Sequence, residues 1–240
     1  MSINGKFYDC VKIGRTCVLT DYKNSQLIIC NSDGSDINHI PLPDKPNNLT
    51  EINSNTVAVS CRYDKTILIV NITTGTITSK LKTVGNCYGI ASDHEYLYVV
   101  IVHSMIQVMD LTGTEIRSIP FPVDDIEDIT VNRNRLVCID YNTIYCCSLN
   151  GTVIWKFRKS ESYQDLRRVT TDDRGTVYVT NGMTDSVVVV SNDGKHFREL
   201  ITSKYGLNRP SGIHFDKDIN SLFVCNDGDG KAFLFYVREK

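Results

Sequence analysis

Long apolar runs and a strong charge of either sign are both absent from this sequence. Nothing in its 240 residues approaches the roughly eighteen consecutive apolar positions that a membrane-spanning helix needs. The first six residues lack the apolar core of a secretion signal. Lys and Arg number 26 against 28 Asp and Glu, and affinity for a nucleic-acid backbone comes mainly from basic residues. We therefore expect a cytoplasmic protein without membrane contact and without a DNA partner.

Cys-x-x-Cys motifs are also absent, although the chain contains nine cysteines. Zinc sites built from thiolates need ligands at short, paired spacing, and these cysteines are scattered. Most lie inside apolar runs, as in Leu27-Ile28-Ile29-Cys30 and Leu222-Phe223-Val224-Cys225. The pattern predicts reduced cysteines that are buried as small apolar side chains.

The sequence has neither a Gly-x-Ser-x-Gly nucleophile motif nor a phosphate-binding loop, and no stretch shows a useful helical period. Short runs rich in Val, Ile, Thr and Tyr recur instead, as strands prefer. Glycine turns separate them at steps of 41, 38, 38 and 43 residues, ending at Gly34, Gly75, Gly113, Gly151 and Gly194. Three of these turns are Asn-Gly or Asp-Gly pairs, which are a strong hairpin signal.

A second marker runs in phase with the turns, at the residue that opens the first strand of each unit. The six marker residues are Asp9, Asn48, Gly89, Asp128, Arg168 and Gly212. The fourth unit shows the strand pattern clearly, with strands predicted at 129–131, 136–139, 143–147 and 152–157. Four strands in each unit of about forty residues, without helices, predict an all-β, six-bladed β-propeller of four-stranded antiparallel blades in a single domain.

The predicted blades span residues 7–47, 48–86, 87–125, 126–165, 166–209 and 210–240, the last completed by residues 1–6. The last unit contains only three apolar strands, at 213–215, 222–225 and 232–237. Since an unpaired sheet edge is a liability, we expect residues 2–7 to supply a short closing strand.

The last two units carry a recognisable motif. The fifth contains Asp172-Asp173-Arg174-Gly175-Thr176-Val177-Tyr178-Val179-Thr180-Asn181 and closes with Asp193-Gly194-Lys195, and the sixth opens with Pro210-Ser211-Gly212-Ile213. These segments resemble NHL repeats, whose pattern is Pro-x-Gly-Ile, an Asp, a Gly turn, Tyr-Val-x-Asp/Asn and a closing Asp-Gly-Lys. The whole chain resembles the C-terminal propeller of tripartite-motif (TRIM)-NHL-like proteins of molluscs and other invertebrates. The resemblance implies the target-recruiting domain of a ubiquitin ligase that oligomerises through upstream RING, B-box and coiled-coil segments.

The axial channel of such a propeller is a candidate for metal chemistry. Asp9, Asn48 and Asp128 open inner strands, where their oxygens suit either a hard cation or the capping of blade turns. Only one histidine is placed on an inner strand, His214, and the others are His39, His94, His103 and His196. Since three histidines do not converge, we expect no catalytic residue, no cofactor and no metal. A metal-dependent hydrolase or lyase in the channel is the third alternative for the function.

The loops after each second strand and the connections between blades lie together on one face of a propeller. They carry seven side chains that we select as binding residues: Tyr22, Arg62, Tyr63, Tyr141, Arg167, Arg168 and Arg209. Tyr and Arg are enriched at interaction hot spots, and residues 124–128 add an acidic segment to the same face. Such a mixed surface favours a protein partner. RNA binding by the same arginines and aromatic rings is the main alternative.

Overall fold

A computed structural model describes residues 5–102, 105–121, 123, 125–158 and 164–237. These residues form six antiparallel sheets, five with four strands and the last with three. The predicted six-bladed propeller is confirmed. Within the described ranges the one helix is a 3₁₀ turn, Ser203–Tyr205, and no helix is long and apolar enough to cross a membrane.

The strands of the first three blades follow one another in sequence, each hydrogen-bonded to its neighbours. Blade 1 consists of β1 (Phe7–Ile13), β2 (Thr16–Asp21), β3 (Gln26–Asn31) and β4 (Asn38–Pro41). Blade 2 consists of β5 (Pro46–Asn53), β6 (Thr56–Cys61), β7 (Thr66–Asn71) and β8 (Thr76–Lys82). Blade 3 consists of β9 (Cys87–Ser92), β10 (Tyr96–Ile101), β11 (Met105–Asp110) and β12 (Glu115–Pro120).

The remaining blades repeat the same arrangement. Blade 4 consists of β13 (Asp128–Asn132), β14 (Arg135–Ile139), β15 (Ile144–Ser148) and β16 (Val153–Phe157). Blade 5 consists of β17 (Leu166–Thr171), β18 (Val177–Asn181), β19 (Ser186–Val190) and β20 (Phe197–Ile201). Blade 6 consists of β21 (Pro210–Asp216), β22 (Ser221–Asn226) and β23 (Ala232–Tyr236).

The first strand of each blade contacts the first strands of both neighbouring blades, and β21 contacts β1. These six inner strands therefore surround a central axis. Side chains become more exposed with distance from the axis. The middle strands β7 and β11 are almost fully buried, whereas the outer strands β8 and β12 are mostly exposed. Two faces result. We name the face with the inter-blade connections and the loops after second strands the loop face, and the opposite one the turn face.

The hydrophobic core is divided into six clusters, and each lies between two adjacent blades. The reason is that the middle strands carry apolar residues on both sides, so each sheet must pack against a neighbour on either side. All nine cysteines are buried and none is in a disulfide, which confirms their expected role as small apolar side chains.

The contact between blades 6 and 1 closes the ring. Phe7 and Cys10 pack with Phe223 and Cys225 in one apolar cluster, and Ser211 Oγ donates a hydrogen bond to Phe7 O (2.7 Å). Of residues 2–7, which were expected to supply the closing strand, residues 2–4 lie outside the described residues. The next two, Gly5 and Lys6, are not in a strand, and Phe7 begins the inner strand of blade 1.

Candidate functional site

Among the loops, those of the loop face carry more exposed apolar side chains than those of the turn face. Of the twelve large hydrophobic residues exposed in the described part of the chain, five lie in loops of this face: Tyr63, Val84, Tyr141, Met183 and Tyr205. Two, Ile37 and Ile219, lie in loops of the turn face. The other five lie on the outermost strands, at Ile77, Ile116, Val153, Ile154 and Tyr236. An accumulation of exposed apolar surface on one face is typical of a binding surface.

Two of the predicted residues are fixed by aromatic neighbours. The rings of Tyr22 and Tyr8 lie 4.6 Å apart, centroid to centroid. The guanidinium carbon of Arg62 lies 3.9 Å from the centroid of the Tyr88 ring and 5.4 Å from that of Tyr63, and Arg62 donates a hydrogen bond to the Tyr88 hydroxyl. These cation–π contacts hold the arginine next to rings of two blades.

Two other predicted residues, Arg167 and Arg209, meet at Asp227. The shortest N–O distances to its carboxylate are 3.3 Å for Arg167 and 3.7 Å for Arg209. Lys6 Nζ lies 3.7 Å from the same carboxylate, and Arg167 also pairs with Asp165 at 2.9 Å. Asp185 Oδ1 also accepts a hydrogen bond from Arg209 N (2.6 Å), so three cations meet three carboxylates (3 − 3) and this sector carries no net charge.

Arg168 differs from the other six predicted residues because its side chain is only 9% exposed. Its Nε lies 3.9 Å from Asp9 Oδ2. Blades 5 and 1 are not neighbours, so this contact crosses the axial channel. A register shift in β17 between Leu166 and Val169 accompanies the turn of Arg168 toward the axis, while Arg167 remains on the loop face. A buried side chain offers no surface to a partner.

Four marker residues, Asp9, Asn48, Asp128 and Arg168, form what we name the axial polar cluster. Asp9 Oδ2 accepts a hydrogen bond from Leu49 N (2.9 Å), and Asp128 Oδ2 accepts one from Val169 N (2.8 Å). Asn48 Nδ2 donates to Asp128 Oδ1 (2.6 Å). The cluster ties together four inner strands at the loop-face end of the channel.

Glycine completes the ring at the two remaining marker positions. A Cβ on Gly89 would lie 2.7 Å from Asp128 Cα, and one on Gly212 would lie 2.7 Å from Cys10 N. Any side chain there would push blade 3 from blade 4, or blade 6 from blade 1. The glycines allow the inner strands to approach closely enough for the polar contacts to form.

Burial makes the two carboxyl groups weak acids. It raises the pKa of Asp9 to about 6 and that of Asp128 to about 8, although the Arg168 guanidinium opposes both shifts. The charge of Asp9 raises the pKa of Asp128 further. One guanidinium between two buried carboxylates cannot compensate both charges, so one of the two carboxyl groups keeps its proton.

A cavity of about 310 Å³ extends from Asp9 and Asp128 along the axis to the turn face, where Glu51, His94 and Asp218 line it. Its lining, as far as the chain is described, includes no residue from a loop of the loop face. Lys12 Nζ lies in the wall, 2.5 Å from both Asp216 Oδ2 and Gly14 O. The cavity is thus polar and opens opposite to the exposed aromatic residues.

The histidines that the structure describes do not assemble into a metal site. His214 and His94 both line the cavity, but burial lowers the pKa of His214 to about 4 and its Nδ1 accepts a hydrogen bond from Lys12 N (3.3 Å). His39 lies on the outer strand β4, and His103 falls outside the described residues. Among the residues described, no group of three His, Cys, Asp or Glu side chains is placed to hold a metal ion.

Sequence reasoning missed several residues that carry these contacts. Tyr8 and Tyr88 each precede a marker residue by one position, so their place on the loop face was available from the repeat phase. Asp227 was not among the residues selected for the loop face. The pairing of Lys12 with Asp216 joins blades 1 and 6 and had no local signal in the sequence.

No family model and no curated protein matches this sequence. Solved structures do match its fold. The virginiamycin B lyase of Staphylococcus aureus is 15% identical, with a TM-score of 0.68 over 99% of this chain and 86% of the lyase. A Bacteroides thetaiotaomicron protein of unknown function is 13% identical, with a TM-score of 0.77 over 96% of this chain and 68% of that one.

A third similar structure is the hydrazine synthase of Kuenenia stuttgartiensis, 16% identical, with a TM-score of 0.66 over 93% of this chain and 75% of the synthase. At such low identity these likenesses establish the propeller fold and nothing finer. Two of the similar proteins are enzymes by name, and propellers also serve as binding modules, so function must be argued from the site.

Proposed function

We propose that the chain is a protein-binding module whose loop face contacts the partner. The observation that carries this proposal is the exposure of Tyr63, Tyr141, Met183 and Tyr205 in loops of one face. Tyr is among the residues with the largest contributions at protein interfaces, because it buries much apolar area with few rotatable bonds. The six-bladed ring is a rigid frame that presents these loops.

The charges of the face favour a protein over RNA. Of the four arginines that RNA binding requires, Arg167 and Arg209 are paired with Asp227, and Arg168 is buried beside Asp9. Arg62 is packed on the Tyr88 ring. Paired arginines neutralise little of a phosphate backbone, whereas mixed charges next to exposed aromatic residues complement a protein surface.

The resemblance of blades 5 and 6 to NHL repeats supports a finer assignment. On that basis the partner is a target protein recruited for ubiquitin transfer, and the enzyme activity belongs to segments other than this propeller. The nine buried, reduced cysteines suit a reducing compartment, which supports a cytoplasmic location.

The test is capture of partners from cell lysate by the immobilised chain, with and without ribonuclease. We expect partners that survive ribonuclease and are lost in the double variant Tyr63→Ala/Tyr141→Ala. The matched control is Ile219→Ala, which removes an exposed apolar side chain from the turn face. Partners lost on ribonuclease treatment, or lost equally in the control, would contradict the proposal.

A further inference from the structure

Charge is distributed unevenly over the loop face. The loops of blades 1 and 2 on this face, residues 22–25, 42–45, 62–65 and 83–86, are named the basic patch. They contain two carboxylates, Asp44 and Asp64, and four cations, which leaves a net charge of +2 (4 − 2); the cations are Lys23, Lys45, Arg62 and Lys65. In the described loops of the same face in blades 3 to 6, four cations accompany seven carboxylates, a net charge of −3 (4 − 7). The basic patch therefore attracts an anionic group that the rest of the described face repels.

Hydrogen bonds and an ion pair join the loops of the basic patch into one surface. Leu42 N donates to Ser25 O (2.8 Å), and Thr83 N donates to Lys65 O (2.9 Å). Each loop after a second strand is thereby attached to the connection beside it. Lys80 Nζ lies 2.9 Å from Asp44 Oδ2, which links blade 2 to the connection from blade 1 and compensates one of the two carboxylates of the patch.

Two cations of the basic patch are oriented by aromatic rings. Lys45 Nζ lies 4.9 Å from the centroid of the Tyr22 ring, and the guanidinium carbon of Arg62 lies 3.9 Å from that of the Tyr88 ring. A ring attracts a cation through its quadrupole but carries no net charge. These contacts therefore position the two cations without cancelling their charge, unlike the contacts of the arginines that are paired with Asp227.

Exposed apolar side chains lie among these cations. Tyr63 is 63% exposed and Val84 is 59% exposed, and the hydrogen bond from Thr83 to Lys65 places their two loops side by side. Protein interfaces combine apolar contact at the centre with polar and charged groups at the rim. The composition of the patch therefore fits a ligand that offers an apolar side chain together with carboxylates.

We propose that the basic patch binds an acidic segment of the partner protein, in which Asp or Glu side chains flank an apolar residue. The apolar residue contacts Tyr63 and Val84, and the carboxylates pair with Lys45, Arg62 and Lys65. This inference rests on the proposed function and deepens it, because it assigns the chemistry of the partner. The excess of carboxylates on blades 3 to 6 repels the same segment and so restricts it to blades 1 and 2.

The ring contacts favour an acidic peptide over single-stranded RNA at this site. RNA bases bind by stacking on free aromatic faces. The Tyr22 ring is instead next to Tyr8 and Lys45, and the Tyr88 ring is next to Arg62. A nucleic-acid strand also carries a charge at every nucleotide, so a strand that continues beyond the patch meets the carboxylates of blades 3 to 6. A short acidic segment avoids them.

The experiment is fluorescence anisotropy with the whole chain and a labelled synthetic peptide in which glutamates flank a Leu-Phe pair. The ionic strength is physiological, where exposed charges more than about 8 Å apart are largely screened. We expect saturable binding, and an affinity at least about tenfold lower for the same peptide with glutamines in place of the glutamates. Lys45→Glu/Lys65→Glu is also expected to weaken binding at least about tenfold, and since both side chains are exposed, the variant should fold.

Lys195→Glu/Lys217→Glu is the matched control, because it makes the same charge change in exposed turns of the turn face and is expected to leave the affinity unchanged. Equal affinity for the glutamine peptide, equal losses in the control, or tighter binding of an oligouridylate of the same length would each overturn the proposal. Absence of peptide binding, while ribonuclease-resistant partners are still captured from lysate, would overturn this inference alone and leave the proposed function standing.

Discussion

Asp9 and Asp128 occupy equivalent positions three blades apart and make equivalent contacts. Each lies within the first three residues of an inner strand, and each accepts a hydrogen bond from the backbone N–H of the next blade, at Leu49 or Val169. The partner across the axis is Arg168 for Asp9 and Asn48 for Asp128. With Gly89 and Gly212 at the two other positions, the six markers follow an approximate twofold symmetry about the propeller axis.

The raised pKa values of this pair predict a stability that falls as pH rises. Between pH 6.5 and 8 the folded protein retains a proton on Asp128, whose pKa is about 8, while the unfolded chain has released it. The free energy of unfolding therefore decreases through this window. His214, with its pKa lowered to about 4, acts in the opposite direction, but only below about pH 6.5.

Urea unfolding of the protein and of Asp128→Asn, each at pH 6.5 and pH 8.5, checks this expectation. The decrease in unfolding free energy between the two pH values is expected to be smaller in the variant. The comparison uses the pH difference within each protein, so a general loss of stability in the variant does not affect it. Parallel decreases in both proteins would show that another group titrates.

Gly89→Ala is expected to destabilise the fold by about 1 to 3 kcal/mol, because its Cβ would overlap the backbone of Asp128. Gly14→Ala provides the comparison. A Cβ at Gly14 has nothing within 4 Å, but Gly14 has a φ of +56°, so its substitution costs only the backbone strain, about 1 to 2 kcal/mol. Thermal unfolding measures both, and a Gly89 variant as stable as the parent would refute the close approach of blades 3 and 4.

Ser211 and Ser221 are both buried in blade 6. Replacing each by alanine is expected to change the stability of the fold differently. Ser211 Oγ donates to Phe7 O across the closing contact, so Ser211→Ala should cost about 1 kcal/mol or more. Ser221 Oγ has no hydrogen-bond partner within the described residues, so Ser221→Ala should be neutral or stabilising. Denaturant midpoints distinguish the two, and equal losses would mean that the Ser211 hydrogen bond does not contribute to ring closure.

The phase of the repeat made much of this architecture predictable from the sequence. The six marker residues, in phase with the glycine turns, predicted the number of blades, and Asp9, Asn48 and Asp128 do meet at one level of the axis. The direction in which the side chain of a marker residue points could not be predicted from the sequence. Arg168 follows a register shift in β17, and its partner Asp9 lies 159 positions away, so only the closed ring brings them together.

For the loop-face residues, too, exposure was predictable from the sequence and contacts between blades were not. Exposed Tyr63 and Tyr141 were predictable because a loop after a second strand has a known place in a propeller. That Arg167 and Arg209 are paired with a carboxylate could not be predicted, since Asp227 lies in the loop of a different blade from Arg167. Contacts between blades depend on the twist and packing of whole sheets, which local sequence does not encode.

Substitution of Asp227 tests whether paired charges on the loop face are what disfavours RNA binding. Its carboxylate pairs with Arg167, Arg209 and Lys6, so Asp227→Asn leaves these three cations with two neighbouring carboxylates, Asp165 and Asp185. We expect the variant to gain affinity for a single-stranded RNA oligomer, with a steeper decrease of log affinity against log salt than the parent, because more phosphate contacts release more counterions. Fluorescence anisotropy at a series of KCl concentrations measures both quantities. Asp193→Asn is the control for a general charge effect, since it removes the same negative charge from an exposed turn between β19 and β20 on the turn face. Strong, salt-sensitive RNA binding by the unsubstituted protein would instead favour RNA as the natural ligand of the face.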